Sequence, residues 1–321
     1  MKPVLSSAVL ATAIALAMPA SAAPRLDVVA SFSILGDMVA RIGGDRVAVK
    51  TLVGPDGDAH VYQPTPADAE TVAKADLVVV NGLGFEGFLT RLLEASEYKG
   101  PVVTASSAVT PRTGFVDEDE EPAAGEAHDH DHAAESGHDD HDHGGLDPHA
   151  WQDIGNGIRY VEAIRAGLCA ADAEGCPEYD AAAKAYATEL KALDDDIRAR
   201  IGAVPKERRV VITSHDAFGY YGAAYGITFL APQGVSTDSE AGAAAVAGLI
   251  RQIRETGIHT LFVENIADPR LIEQIAAETG AKLGPKLFSD ALSPADGPAP
   301  TYAAMMHYNA DALIRSMSGG S

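Results

Sequence analysis

The sequence predicts an α/β protein of two similar lobes, each a parallel sheet flanked by helices, joined by one long rigid helix. Three observations predict this fold. Apolar, β-branched runs alternate with helical patterns in both halves, which is typical of parallel sheets covered on both faces. A single long helical pattern, residues 177–203, separates the two halves. The chain of 321 residues is also long enough for two domains that each bury a core.

The first lobe is predicted to span residues 23–176. Its strands are expected where apolar β-branched residues dominate, at 26–32, 47–53, 76–81 and 102–104. Its helices are expected where charged residues interrupt the apolar ones at helical spacing, at 34–42, 66–75, 86–95 and 151–170. The alternation of the two patterns indicates strand–helix–strand units.

The linking helix and the second lobe follow. Apolar residues recur at helical spacing through 177–203, and about 1.5 Å of rise per residue makes this helix near 40 Å long, longer than one small lobe needs. The second lobe, residues 204–321, repeats the alternation. Its strands are expected at 210–213, 227–231, 258–263 and 286–288, and its helices at 217–225, 239–255, 268–278 and 302–317.

Residues 1–22 have the pattern of a secretory signal peptide. Lys2 supplies the positive start, residues 9–18 form an apolar core, and Ala20-Ser21-Ala22 is a small-residue cleavage site. The apolar core is too short to span a bilayer. Since no Cys follows it to carry a lipid, we expect a soluble protein exported to the periplasm, without a lipid anchor.

An acidic, histidine-rich segment, residues 113–145, is expected to form a flexible loop. The chain has 46 acidic and 24 basic residues, and 12 of the acidic ones lie in this segment. Neutral imidazole binds late divalent metals, and six of the 11 histidines lie here: His128, His130, His132, His138, His141 and His143. An acidic spacer has no use for six imidazoles, so we interpret the loop as an auxiliary metal-binding segment. The acidity argues against nucleic acid as a partner.

Two cysteines, Cys169 and Cys176, are expected to form one disulfide in an exported protein. On a continuous helix, seven residues would separate them by roughly 10 Å, whereas a disulfide needs Cα atoms within about 7 Å. A helix must therefore end between them, and the run 171–177, with Gly175 and Pro177, is suitable for that. The alternative, a cysteine-containing metal site, lacks paired partners nearby.

Four potential metal ligands follow predicted strands or the acidic loop: His60, His149, His215 and Asp290. Ligands of open α/β sheets bind beyond the carboxyl ends of the strands. Each residue taken singly could be a solvated loop residue or a helix cap. Their combination with an exported chain and a histidine-rich loop predicts a metal in the cleft between the lobes, with two ligands from each lobe.

The same residues carry a family resemblance that covers nearly the whole mature chain. The motifs are Asp58-Ala59-His60-Val61-Tyr62-Gln63-Pro64-Thr65-Pro66, Asp147-Pro148-His149-Ala150-Trp151, His215-Asp216-Ala217-Phe218-Gly219-Tyr220 and Leu287-Phe288-Ser289-Asp290. With them the sequence resembles the metal-binding solute-binding proteins of ATP-driven importers, the zinc and manganese group. The resemblance implies that the four residues are the ligands, that the linking helix is rigid, and that the partner is an ABC transporter membrane permease.

The ligand types favour Zn²⁺ as the cargo over Mn²⁺. Three imidazoles and one carboxylate suit tetrahedral zinc, while manganese prefers oxygen. The family's manganese and iron members usually carry Glu where this chain has His215. One segment, residues 233–240, is more similar to manganese binders, and we expect it to lie away from the four ligands. Glu264 is a candidate for supporting a ligand, or alternatively a helix cap.

The predicted function is capture of zinc in the periplasm and delivery to the permease by a monomeric protein, with a periplasmic metallochaperone as a further possible partner. An exported zinc hydrolase is disfavoured, because four protein ligands close a zinc site and no His-Glu-x-x-His segment is present. A periplasmic zinc buffer or chaperone without a transporter, and a manganese-binding member of the same family, remain alternatives.

Overall fold

The computed structural model describes residues 25–113, 145–258 and 260–319. The predicted signal peptide and the six histidines of the acidic segment lie outside the described residues. Among the residues described, no helix combines the length and apolar character needed to cross a membrane.

The first lobe is built on a four-stranded parallel sheet, as predicted. Its strands are β1 (Leu26–Phe32), β2 (Val47–Val53), β3 (Leu77–Val80) and β4 (Val102–Thr104), in the order β2-β1-β3-β4. Its helices are α1 (Ser33–Gly43), α2 (Pro66–Ala73), α3 (Leu89–Ala95) and α4 (Ile154–Ala171). All four residues of β3 are buried, as expected for a strand covered on both faces.

A short antiparallel ladder closes the base of the acidic segment. Strands β5 (Arg112–Thr113) and β6 (Leu146–Asp147) pair Arg112 with Asp147 and Thr113 with Leu146. The two described ends of the segment therefore lie side by side, and the second strand ends two residues before His149.

The break between α4 and the linking helix confirms the predicted disulfide. Helix α4 ends at Ala171 and α5 (Cys176–Gly202) begins at Cys176. The turn brings the Cα atoms of Cys169 and Cys176 to 4.5 Å, and the two sulfurs are bonded. Helix α5 has 27 residues, close to the predicted 177–203, and spans about 40 Å at 1.5 Å per residue.

The second lobe repeats the parallel arrangement with shorter strands. These are β7 (Val210–Ile212), β8 (Thr228–Leu230), β9 (Thr260–Leu261) and β10 (Lys282–Leu283), in the order β10-β9-β7-β8. Its helices are α6 (Gly219–Tyr225), α7 (Ala243–Thr256), α8 (Arg270–Thr279) and α9 (Tyr302–Met317).

The last strand differs from the prediction of 286–288, which was wrong in position. The ladder is regular at Lys282–Leu283 and continues to the Gly284 N–H, which donates to the carbonyl of Leu261 at 2.8 Å. Leu287 lies three positions after Gly284, whereas Val263 lies two positions after Leu261, so the chain bulges around Pro285. Beyond the proline the chain stays beside β9, because the Leu287 N–H donates to the carbonyl of Val263 at 2.9 Å. Leu287 thus forms only an isolated bridge, with Glu264.

One hydrophobic core runs through both lobes and the linking helix. It includes Phe32 of β1, Trp151, Tyr186 of α5, Phe218, and Met305 of α9. A second, smaller core lies between α7, α8 and the sheet of the second lobe, around Ile253 and Ile275. Because the larger core is shared, separating the lobes would expose apolar surface to water.

Candidate metal centre

The structure brings together all four predicted ligands at the carboxyl ends of the two sheets. His60 follows β2, His149 follows β6, His215 follows β7, and Asp290 lies beyond the bridge at Leu287. One ligand atom of each residue lies within 4.8 Å of those of the other three. The side chains of His149, His215 and Asp290 are fully buried, and that of His60 is 4% exposed.

The spacing of these atoms is that of a small tetrahedral site. The Nε2 atoms of His60 and His149 are 3.4 Å apart. Asp290 Oδ2 lies 3.3 Å from His60 Nε2 and 3.2 Å from His215 Nε2, and Asp290 Oδ1 lies 3.5 Å from His149 Nε2. Zinc–ligand bonds of about 2.0–2.1 Å give a tetrahedron with edges of about 3.3–3.4 Å. The four residues therefore surround a space of the right size for one cation.

Asp290 is a buried carboxylate without a full set of hydrogen bonds. Neither of its oxygens receives an aligned hydrogen bond from any described residue. Burial by itself raises the pKa of a carboxyl group, but the charges of His149 and His215 hold the pKa of Asp290 well below its usual range. A buried carboxylate surrounded by imidazoles and lacking other partners is chemically suited to bind a cation.

Asp147 orients His149. The Oδ1 atom of Asp147 accepts the backbone N–H of His149 at 3.0 Å and lies 2.9 Å from its Nδ1. A proton on Nδ1 leaves Nε2, the atom facing the cluster, free to bind a metal. Burial lowers the pKa of His149, but Asp290 and Asp147 outweigh it and raise the pKa to about 9. Sequence reasoning did not single out Asp147, although an Asp two residues before a ligand is a signal for such a turn.

Glu264 contacts both the backbone and the ring of His215. Its Oε1 atom accepts the backbone N–H of His215 at 2.9 Å, and its Oε2 atom lies 2.7 Å from His215 Nδ1. Burial lowers the pKa of His215, but Glu264 and Asp290 raise it well above the ordinary value. Helix α8 begins at Arg270, so Glu264 does not cap it. Of the two interpretations of Glu264, these contacts support the one in which it holds a ligand.

Asp58 supports His60 and links it to the second lobe. Its Oδ1 atom accepts the backbone N–H of His60 at 2.9 Å, and its Oδ2 atom accepts the Thr237 hydroxyl at 2.6 Å. Thr237 belongs to the segment 233–240, where Gln233 also forms a bridge with His215. The expectation that this segment lies away from the ligands was therefore wrong. Sequence spacing gave no signal, because Asp58 and Thr237 are 179 residues apart.

Aromatic side chains form the wall behind the cluster. Phe85 packs edge-on against His60 and Trp151, with ring centroids 4.9 and 4.8 Å apart. The Trp151 ring lies 5.3 Å from that of His149, and its Nε1–H donates to the carbonyl of Ser289 at 2.9 Å. Trp151 thus joins the His149 motif of one lobe to the residue preceding Asp290 in the other.

A buried carboxylate that sequence reasoning missed holds this wall in place. Glu86 accepts hydrogen bonds from the Ser31 hydroxyl at 2.6 Å and from the N–H groups of Asn81 and Gly82 at 2.6 and 3.2 Å. Burial raises the pKa of Glu86. The Asn81 side chain in turn donates to the carbonyl of Pro148 at 2.9 Å, directly before His149. The only sequence signal was one acidic residue in an apolar run.

Comparison with known proteins agrees with this architecture. The family model described as ZnuA, zinc-uptake complex component A, periplasmic, matches residues 28–316. The chain belongs to this family. Its members are substrate-binding components of ABC metal importers and not enzymes, which confirms the family resemblance seen in the sequence.

Similar proteins are named for different metals. The iron-binding protein YfeA of Yersinia pestis is 31% identical over 312 residues, covering 97% of this chain and 92% of its own. The manganese-binding lipoprotein MntA of Halalkalibacterium halodurans is 30% identical over 293 residues, covering 91% and 89%. The solved structure of the periplasmic zinc-binding protein TroA of Treponema pallidum has a TM-score of 0.78 at 28% identity, covering 91% of this chain and 99% of that one.

The comparisons show that the chain is the periplasmic metal-binding component of an ABC metal importer. They do not identify which metal it binds, because the relatives are named for zinc, iron and manganese. MntA and further similar proteins are named lipoproteins, so the comparison does not support the prediction of a protein without a lipid anchor.

Proposed function

We propose that this member of the zinc-uptake component A family captures Zn²⁺ in the periplasm and delivers it to an ABC-type permease. The observation that carries the proposal is the cluster of His60, His149, His215 and Asp290, in which four of the six ligand pairs lie 3.2–3.5 Å apart, close to the edges of a zinc tetrahedron. Four protein ligands form a closed site, which suits transport of a metal rather than catalysis with it.

Zinc is favoured over manganese by the donor atoms. Three imidazole nitrogens and one carboxylate form a borderline-soft set, whereas Mn²⁺ prefers carboxylate, carbonyl and water oxygens. The manganese alternative rests on relatives named for that metal and on the segment 233–240. A competition between the two metals distinguishes these proposals.

The acidic segment is proposed to be an auxiliary collector. Its six histidines, His128 to His143, and its twelve acidic residues attract cations, and the ladder of β5 and β6 fixes both ends of the segment beside His149. The clustered histidines are oriented by Asp58, Asp147 and Glu264, and such orientation before binding raises affinity. We therefore expect the sites of the acidic segment to bind zinc more weakly than the cluster does.

Zinc stoichiometry and affinity, measured by competition with a chelator, test the proposal. The mature protein is compared with a variant lacking residues 117–143 and with His215→Ala in that shortened background. We expect one tight zinc site that survives removal of the segment and is lost with His215→Ala. Tight binding that disappears with the segment and ignores His215→Ala would instead assign the function to the histidines, and the zinc-buffer alternative would replace the importer.

The same proteins loaded with Mn²⁺ test the metal. We expect manganese to be displaced by equimolar zinc in the wild type. Preferential retention of manganese would support the manganese alternative.

Delivery is tested in the cell by deletion of the gene. Growth in zinc-poor medium should be impaired if zinc import depends on the protein. Growth should be unchanged if the protein only buffers zinc or passes it to a metallochaperone.

A further inference from the structure

The segment that carries His60 is held differently from the segments of the other three ligands. This segment, residues 54–65, is called the His60 arm. All of its residues are described, and none of them belongs to a helix or strand. Its position therefore depends on individual hydrogen bonds rather than on a regular ladder, and its ligand is the most exposed of the four.

Three hydrogen bonds between the His60 arm and the second lobe fix the arm. The Thr237 hydroxyl donates to Asp58 Oδ2 at 2.6 Å, and the Asn265 side-chain amide donates to Asp56 Oδ1 at 3.0 Å. The backbone N–H of Asp56 donates to the carbonyl of Leu292 at 3.0 Å. Asp56 also has a φ of 54°, in the left-handed region, so this turn is held in a less favoured conformation.

His149 and His215 are held by residues of their own lobes, and the segment of Asp290 is held from both lobes, since Trp151 and Gln152 donate to the carbonyl of Ser289 at 2.9 and 2.8 Å. His149 is fixed by Asp147 and, through the carbonyl of Pro148, by Asn81. His215 is fixed by Glu264. The segment before Asp290 is fixed by the side chain of Asn309, which accepts the N–H of Phe288 at 3.0 Å.

Asn265 connects the two sides of the cluster. Its Oδ1 atom accepts the N–H of Ser289 at 3.3 Å, and its amide donates to the carbonyl of Ala291 at 3.1 Å as well as to Asp56. The residues on either side of Asp290 are thus bonded to the side chain that reaches the His60 arm. Thr237 makes its cross-lobe bond from a separate segment, so its contribution can be removed by itself.

We propose that Thr237 and Asn265 are positioning residues that lock the His60 arm onto the second lobe and thereby set the rate at which the metal leaves. In this arrangement His60 dissociates first, while His149, His215 and Asp290 stay assembled, because the bonds of Trp151 and Gln152 to Ser289 keep the segments of His149 and Asp290 together. The inference rests on the proposed capture of zinc and names how its release is controlled. The bond between Thr237 and Asp58 is the shortest of the three, and like the bond between Asn265 and Asp56 it ends on a carboxylate, which makes it stronger than a bond between neutral groups.

The rate of zinc release, measured by stopped-flow mixing of zinc-loaded protein with excess chelator, tests the proposal. Thr237→Val keeps the shape of the side chain and removes the hydroxyl, and Thr237→Ser keeps the hydroxyl. Loss of a hydrogen bond to a charged group corresponds to about a tenfold change or more. We therefore expect release from Thr237→Val to be roughly tenfold faster than from the wild type, with Thr237→Ser close to the wild type.

Ser236→Ala is the matched control. Ser236 precedes Thr237, and its hydroxyl accepts the N–H of Asp238 within the same segment at 3.3 Å, so the variant removes a hydroxyl without removing a cross-lobe bond. Release from this variant should stay within about twofold of the wild type, by the small effect of such surface changes. Equal acceleration in Ser236→Ala and Thr237→Val, or no acceleration in Thr237→Val, would overturn the inference.

Failure of the inference and failure of the proposed function are distinguishable. A wild-type protein without a tight zinc site, or with one that ignores His215→Ala, contradicts the capture of zinc in the cluster. A wild-type protein with that site intact, combined with unchanged release from Thr237→Val, contradicts only the role of the lock. Asn265→Ala, measured in the same way, should also accelerate release.

Discussion

Two of the three clustered histidines follow an aspartate by two residues, and the same local turn serves them differently. Asp58 accepts the backbone N–H of His60, and Asp147 accepts that of His149. Asp147 also contacts the ring of its histidine, while Asp58 uses its second oxygen to bind Thr237 across the cleft. The same sequence pattern thus fixes one imidazole within its lobe and makes the position of the other depend on the opposite lobe.

The contact between Glu264 and His215 predicts a loss of affinity when the charge is removed. In Glu264→Gln the side chain keeps its size, but a neutral amide replaces the carboxylate that faces His215 Nδ1 at 2.7 Å. Residues that orient a metal ligand typically contribute 10- to 100-fold in affinity, so we expect zinc to bind about 10- to 100-fold more weakly. Chelator competition measures this loss. Glu273→Gln, on the exposed face of α8, is the control and should bind zinc like the wild type.

The raised pKa of His149 predicts opposite effects of pH on the metal-free and zinc-bound protein. Because the pKa is raised from 6.5 to about 9 in the folded state, protonation stabilises the metal-free fold below pH 6.5, and this stability is lost as the pH rises through 9. Zinc needs the neutral imidazole and must displace that proton. Zinc affinity should therefore increase between pH 6.5 and 9.

Chelator competition and thermal unfolding at pH 6.5, 7.5 and 8.5 check this prediction. The difference in melting temperature between zinc-bound and metal-free protein should widen as the pH rises. His307→Gln, which removes a half-exposed histidine of α9, should leave the trend unchanged. Zinc affinity that is independent of pH over this range would contradict the assignment of a proton to His149 in the metal-free protein.

At the residue scale, the sequence identified the four potential ligands but gave no indication of the contact that supports His60. The four potential ligands lie in short local motifs beside strand ends, so the sequence pattern identifies them. Glu264 could be identified for the same reason, since it follows a strand. The contact of Asp58 with Thr237 joins residues 179 positions apart, and only the way the two lobes face each other creates it.

At the level of elements, the turn between α4 and α5 is fastened by several independent contacts. The disulfide between Cys169 and Cys176 spans it, and the guanidinium of Arg46, just before β2, donates to Asp172 in the turn at 2.9 Å. Arg46 and Tyr179 hold the pKa of Asp172 at about 2, below its usual range. The linking helix therefore starts from a fixed point on the first lobe.

Removal of the disulfide should lower stability without affecting the metal. For a short closed loop the entropy of the unfolded chain gives a loss of roughly 2 to 3 kcal/mol in the double variant Cys169→Ser with Cys176→Ser. Denaturant unfolding measures the free energy, and chelator competition measures zinc binding. Because the turn contributes no residue to the cluster, zinc affinity should stay within about threefold, by the additivity of distant sites. A large loss of affinity would show that the turn positions the ligands.

The helices and the strands of the first lobe could be predicted closely, and the strands of the second lobe less well. Strand β1 and helix α9 have the predicted bounds, because long runs give a clear period. Helix α7 begins at Ala243 rather than 239, since the preceding residues instead bond within the segment that meets Asp58. The prediction of a strand at 286–288 missed the bulge around Pro285, where Leu287 lies three positions after Gly284 but their partners Val263 and Leu261 are only two positions apart.

At the scale of the whole molecule, the two lobes behave as one packed body. Their shared core includes Phe32, Trp151 and Met305. The Tyr302 hydroxyl donates to the carbonyl of Trp151 at 2.6 Å, and the Tyr302 N–H donates to Asp37 at 2.9 Å. Wide opening of the cleft would break these bonds and expose core side chains, so the cost of a large hinge motion is high.

Metal release should therefore proceed with little change in overall shape. X-ray scattering of the variant lacking residues 117–143, with and without zinc, measures the radius of gyration without a contribution from the acidic segment. We expect the two profiles to agree within error, because displacement of the His60 arm moves about a dozen residues while the shared core and α5 stay in place. A clear decrease in the radius of gyration on zinc binding would show that the lobes close around the metal. In that case the bonds from Thr237 and Asn265 would report lobe closure rather than a local lock on His60.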